Sequence, residues 1–132
     1  MWDDQRQHHR ERSRFMSLHV VVRDTGLGDS LMLVLKQQGF AARLHVETAS
    51  LCRQEALSPE DTVILDLDLP NGQAAGLVDR MEREQTPCRL IVLAGVTSRA
   101  ARARLGTAGP MAVLTKPFAA SDLLALLGTP LH

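Results

Sequence analysis

Four short runs of aliphatic and β-branched residues punctuate this chain, and they limit its fold more than any other feature. They are Leu18–Val22 (LHVVV), Thr62–Leu65 (TVIL), Arg89–Leu93 (RLIVL) and Ala112–Thr115 (AVLT). All are short for helices of a core, and none shows the strict polar alternation of a strand with one wet face. Runs of this kind suit strands buried on both sides, the pattern of a parallel sheet. A weaker run, Ala42–Val46, reads as a strand at a sheet edge.

Helical patterns fill the intervals. Leu27, Leu31, Val34 and Leu35 recur at helical spacing, and Gly39 ends that helix. Ser50–Leu57 reads as a short helix stopped at Ser58–Pro59. Ala74–Glu84 carries Leu77, Val78 and Met81 on one face and is broken by Pro87. Ser98–Ala108 is an Arg- and Ala-rich helix ending at Gly109–Pro110, and Ala120–Leu127 is the last, with Gly128 as its stop. Five strands alternating with five helices specify an α/β fold with a parallel sheet covered on both faces. Right-handed crossovers leave few topologies. The expected one is a doubly wound, flavodoxin-like sheet of five strands in the order 2-1-3-4-5. Its core must be aliphatic, because hydrophobic residues make up 45% of the chain but aromatics only 3%, with no Tyr.

The length of 132 residues suits one domain, placed at residues 17–128. Residues 1–16 are polar and Arg-rich without apolar period, and read as a disordered or frayed extension; Met16 is an alternative natural start. Residues 129–132 form a C-terminal tail. The His8–His9 pair lacks a third ligand at usable spacing. Fifteen basic residues balance fifteen acidic ones, which gives no general drive toward nucleic acid or an anionic membrane. No apolar run is long enough to span a bilayer, and the polar N-terminus carries no secretory signal. Cys52 and Cys88 are isolated, match no zinc or redox spacing, and read as free thiols in a cytoplasmic protein.

In a doubly wound sheet, ligands bind at the carboxyl ends of the strands. The first strand ends in Arg23-Asp24. The third ends in Asp66, followed by Asp68 and Pro70. The fourth ends at Ala94-Gly95, and the fifth at Lys116-Pro117-Phe118. The topology thus brings Asp24 and Asp66 near Lys116. Two carboxylates and a lysine suit a divalent cation and a phosphoryl group, since carboxylates hold Mg²⁺ and an ammonium neutralises a phosphate oxygen.

On these residues a resemblance becomes specific. VILDLDLP (63–70) resembles the phosphoacceptor strand and loop of response-regulator receiver domains of two-component signalling, and VLTKPF (113–118) resembles their fifth-strand lysine–proline motif. Pro70 after Asp66, Gly39-Phe40 after the first helix and Gly109 before Lys116 also fit, and the likeness covers roughly residues 17–128. It implies that Asp66 is the phosphoacceptor and Lys116 the phosphate-binding lysine. A Mg²⁺ ion would be held by Asp24, Asp66 and the backbone carbonyl of Asp68, and the Lys116–Pro117 peptide would be cis. The implied partners are a sensor histidine kinase or histidine phosphotransfer protein upstream and a protein target downstream. No direct nucleic-acid or membrane partner is implied, nor any enzymatic activity beyond self-catalysed phosphoryl transfer and hydrolysis. With nothing after His132, the likeness is to a stand-alone receiver. Arg99, Arg102 and Arg104 lie where such domains dock partners, or simply face solvent.

The chain also departs from the family. Members usually carry two adjacent acids after the first strand; here the match is Arg23-Asp24, which weakens the metal site. Arg23 could instead contact phosphate itself. The hydroxyl that normally ends the fourth strand is replaced by Ala94, and the aromatic switch of the fifth strand by Val113. The glycine usual eight residues past the acceptor is Ala74, with Gly72 and Gly76 close by. Two functions therefore compete: a phosphorylatable receiver, and a pseudo-receiver serving as a phosphorylation-independent interaction module. A nucleotide-binding enzyme of the same topology is disfavoured, because Thr25–Ser30 (TGLGDS) fits no phosphate-loop fingerprint.

Overall fold

The computed structural model describes residues 17–52, 57–95 and 111–128. The expected N-terminal extension, the Arg-rich helix over 98–108 with Arg99, Arg102 and Arg104, and the C-terminal tail lie outside them. Within them the chain runs β1 (Ser17–Val21), α1 (Thr25–Gln37), β2 (Ala41–His45), α2 (Thr48–Cys52), β3 (Thr62–Asp66), α3 (Gln73–Arg83), β4 (Arg89–Ala94), β5 (Met111–Thr115) and α4 (Ala120–Leu127). The five strands form one sheet in the order β2-β1-β3-β4-β5. All four pairings are parallel.

Burial explains why the apolar runs became interior strands. Every residue of β3 is buried. Because successive side chains point to opposite faces, β3 divides its residues between two cores. Val63 and Leu65 join Val21, Val92, Leu77 and Val78 on the face covered by α2 and α3. Ile64 joins Val20, Ile91, Leu31, Leu35 and Leu123 on the face covered by α1 and α4. Truncating one of these aliphatics to Ala typically costs about 2–5 kcal/mol. The weaker run became the edge strand β2, where exposed and half-buried positions alternate.

Helix ends follow local chemistry. Gly39 leaves α1 with φ +89, the Gly39 N–H donates to the Lys36 carbonyl, and the Phe40 N–H donates to the Leu35 carbonyl. Those two bonds form a Schellman cap, sealed by the burial of Phe40 beside Leu35. At the other end of the chain, Arg89 donates from its guanidinium to the Leu126 carbonyl at 2.8 Å, tying α4 to the start of β4.

Two expectations shift. The second helix starts at Thr48 rather than Ser50, because the Thr48 N–H finds the Gln73 Oε1 at 3.1 Å. The loop after Asp66 holds a 3-10 turn, Pro70–Gly72, before α3 begins at Gln73. Asn71 (φ 61) and Gly72 (φ 69) take the left-handed conformations. Ala74 is a buried helical residue, so the loop needs no glycine there.

Candidate functional site

Three residues meet at the carboxyl edge of the sheet. Asp66 is the last residue of β3, held between β1 and β4, and among the described residues it is one of three buried polar ones. Lys116 follows β5 directly, and its N–H bonds to the Ala94 carbonyl at 2.8 Å. That bond fixes the lysine backbone against the end of β4. The Lys116–Pro117 peptide is cis, as the resemblance implies. Lys116 Nζ donates to Asp66 Oδ1 at 2.8 Å and to Asp68 Oδ2 at 2.9 Å. The Asp68 N–H also donates to Asp66 Oδ1, at 3.0 Å.

Burial within this trio is uneven, which decides what each member can do. The Asp66 side chain keeps 6% of its surface, Lys116 25% and Asp68 30%. Asp66 is therefore nearly dry and its charge depends on its partners, whereas Asp68 remains partly solvated. Burial by itself pulls the Lys116 ammonium below its ordinary value. The hydrogen bonds and charges of Asp66 and Asp68 outweigh that effect, and its pKa is raised. The lysine stays charged at neutral pH. Both of these bonds fall on Oδ1 of Asp66 and neither on Oδ2.

The first strand contributes differently from what the sequence suggests. Asp24 is exposed, and its Oδ1 accepts from the Leu27 N–H at 2.9 Å as the N-cap of α1. This is the ordinary work of an Asp before a helix. Arg23 is exposed as well and makes no ion pair among the described residues. Among the described residues, no group of three or more His, Cys, Asp or Glu side chains is assembled to hold a metal. Receiver domains generally bind Mg²⁺ at their acidic site. Here the donor set does not fit one as arranged: Asp24 Oδ1 caps a helix, and Asp66 Oδ1 and Asp68 Oδ2 already share an ammonium.

Ala94 is buried at the end of β4, and Val113 packs against the core on the α2–α3 side. Thr97 and Ser98, the next hydroxyls along the chain, lie outside the described residues. Beside Lys116 an apolar cavity of about 330 Å³ opens between α1 and α4, lined by Leu27, Leu31, Val34, Phe118 and Leu123.

Two features were not anticipated. The side chain of Asp68 reaches Lys116, although only its carbonyl was expected to matter. In addition, His19 Nδ1 lies 3.1 Å from His45 Nε2, and His45 Nδ1 lies 2.8 Å from Ser50 Oγ. This relay joins β1, β2 and α2. Both imidazoles are depressed in pKa, His45 to about 4: burial acts first on each, Asp61 opposes it and Arg43 adds to it at His19, and His19 and then Arg43 add to it at His45. Both cysteines are free, as expected, and burial pushes the Cys88 thiol up to about 11, so it stays protonated.

Comparison with known proteins bears on the same region. The family model of the response regulator receiver domain matches residues 20–128. The chain is 27% identical over 111 residues to the acid tolerance regulatory protein ActR of Rhizobium meliloti (strain 1021), covering 84% of this chain and 57% of that protein. It is 27% identical over 115 residues to the DNA-binding transcriptional regulator NtrC of Bradyrhizobium sp. (strain RP501 Parasponia), covering 87% of this chain and 24% of that protein. The chain thus spans about half of one relative and a quarter of the other. In fold it is similar to the crystal structure of FixJ-N (TM-score 0.74, 19% identity, 83% of this chain and 88% of that one). It is also similar to a response regulator from Colwellia psychrerythraea (TM-score 0.71, 20% identity, 84% and 92%). With the family model spanning the sheet from β1 to α4 and the Asp66–Lys116 pair inside it, the chain belongs to the response regulator receiver domain family.

Proposed function

We propose that this receiver accepts a phosphoryl group on Asp66 from the phosphohistidine of a sensor histidine kinase or histidine phosphotransfer protein, and that a downstream protein reads the product. The observation that carries the reading is the 2.8 Å bond from Lys116 Nζ to the buried carboxylate of Asp66. Asp66 Oδ2 attacks phosphorus in line. The P–N bond to the donor imidazole breaks, its electron pair stays on the nitrogen, and an acyl phosphate forms. Lys116 supplies positive charge beside the oxygens on which negative charge concentrates. The buried strand end holds the nucleophile in one orientation, which supplies the positioning part of the rate. The apolar cavity between α1 and α4, next to Lys116, would seat the donor.

Specific observations favour a second reading, a phosphorylation-independent interaction module. Asp24 is used as a helix cap, Arg23 stands where an acid is usual, and Ala94 and Val113 lack the groups that relay phosphorylation. One experiment separates the two. The protein is incubated with Mg²⁺ and acetyl phosphate and its intact mass measured. A gain of one phosphoryl group that disappears in Asp66→Asn supports the acceptor. A wild type that never gains the mass, beside an ordinary receiver that does, overturns it and leaves the module.

A further inference from the structure

We infer that Asp68 is a built-in anion that holds Lys116 while Asp66 carries no phosphoryl group, and so sets how readily the site takes one up. The inference rests on the acceptor reading for its kinetic consequence, but not for the contact itself.

Three observations place Asp68 in this role. Its Oδ2 lies 2.9 Å from the lysine ammonium, as close as the bond to Asp66 at 2.8 Å. Its backbone N–H is tied to Asp66 Oδ1, so the loop is folded back over the acceptor. The space it fills exists because residue 95 is glycine: a Cβ there would lie 3.0 Å from Asp68 Oδ2 and 3.7 Å from Lys116 Cδ. Real Cβ atoms rarely come that close, so a side chain at 95 would crowd the carboxylate and make it give by a few tenths of an ångström. The preceding residue, Ala94, offers no hydroxyl that could compete for this place.

An incoming phosphoryl group needs the same ammonium. It brings about −2 charge and three acceptor oxygens next to a carboxylate that already holds the lysine. Like charges repel, so Asp68 must leave before the phosphoryl group can be fully neutralised. Being the most exposed of the three, it can do so by turning to water. Asp68 therefore acts through Lys116 as a positioning residue, and its departure is part of the phosphorylation step. With acetyl phosphate as donor, Asp66 Oδ2 forms the new O–P bond, the donor's P–O bond breaks, and acetate leaves with the electron pair.

The test has two readouts on wild type, Asp68→Asn, Asp68→Ala and Gly95→Ala. The first is the acetylation rate of Lys116 by trace acetic anhydride, followed by peptide mass, which needs no phosphorylation. Release of the lysine in Asp68→Ala should raise labelling by about fivefold, because a charge-assisted bond no longer holds the amine, and Gly95→Ala, which only crowds the same carboxylate, should raise it less. Gly95→Ala should add nothing in the Asp68→Ala background, where there is no carboxylate to displace. The second readout is acetyl phosphate dependence, where Asp68→Asn and Asp68→Ala should lower the donor concentration for half-maximal rate. Unchanged Lys116 labelling in Asp68→Ala overturns the inference, as does a slower phosphorylation in that variant. If no form takes up phosphate, the acceptor reading falls, while the labelling result still decides whether Asp68 holds the lysine.

Discussion

Replacing Lys116 by Met should destabilise the domain by about 2 kcal/mol, and the reasoning can be followed contact by contact. Met keeps most of the stem that lines the cavity between α1 and α4, so apolar packing changes little. What is lost is the ammonium. Its bond to Asp66 is to a carboxylate with 6% of its surface left, and a hydrogen bond to a buried charge contributes about 1.5–3 kcal/mol. Its bond to Asp68, with 30% left, counts as a surface pair of about 0.5 kcal/mol. Relief from desolvating the ammonium itself offsets about 0.5–1 kcal/mol of this. For a domain of this size, about 2 kcal/mol lowers Tm by roughly 10 °C. Asp66→Asn should behave otherwise: it keeps the shape and an acceptor oxygen while removing a buried charge, and should fall within about 1 kcal/mol of wild type. In that background Lys116→Met should cost only about 0.5–1 kcal/mol, for a coupling of about 1–1.5 kcal/mol. Urea unfolding of the four proteins at pH 7 measures the cycle. A Lys116→Met within about 0.5 kcal/mol of wild type, or zero coupling to Asp66, would refute the argument that Asp66 depends on Lys116.

Two further outcomes follow from the same structure. His45 is depressed to about 4 when folded against about 6.5 when unfolded, so the unfolded chain binds the proton more readily. Its contribution is therefore complete above pH 6.5 and is lost as pH falls toward 4, by up to about 3 kcal/mol; His45→Gln should flatten that part of the stability curve, and an unchanged slope in urea midpoints from pH 7 to 4 would count against the relay. At the strand-1 end, Arg23→Asp puts back the acid usual in the family and should raise a weak Mg²⁺ affinity, limited by donors already engaged elsewhere, roughly three- to fivefold by calorimetry at moderate salt; no change would mean that Arg23 is not what limits it.

How much of this could be read from the residues depended on how far apart the partners lie in sequence. β3 and β4 were legible because a strand buried on both faces has no polar alternation, and few other structures suit TVIL or RLIVL. β2 was legible as an edge for the opposite reason. The Asp66–Lys116 pair was legible because strand order puts both at one edge, and the motifs around them agree. Asp24 was read for its charge, although an Asp directly before a helix is also the commonest kind of cap, and that local signal proved the stronger one. The His19–His45 contact could not be read, since it depends on the register that sets His45 beside Val21 and His19 beside Arg43. The reach of Asp68 was hidden as well: it requires a loop folded back by one backbone bond and a neighbouring strand that ends in glycine.

The charges around Asp66 then indicate which part of the site must move. At rest two carboxylates share one ammonium, and the trio carries a net charge of −1. A phosphoryl group on Asp66 makes that about −2, with Lys116 the cation bonded to the pair of carboxylates. Something must give, and burial selects it. Asp66 is nearly dry and fixed in β3, and Lys116 is anchored through its N–H to the end of β4. Ala94, fully buried and without a hydroxyl, has nothing to move toward the phosphate. Asp68 is the most solvated of the three and sits on a loop. That loop continues through the left-handed Asn71 and Gly72 into α3, whose first residue, Gln73, is bonded to Thr48 of α2. On this balance a phosphorylation signal would leave through the 66–72 loop toward the α2–α3 face, and not through β4 and β5, as it does where a hydroxyl and an aromatic stand in place of Ala94 and Val113.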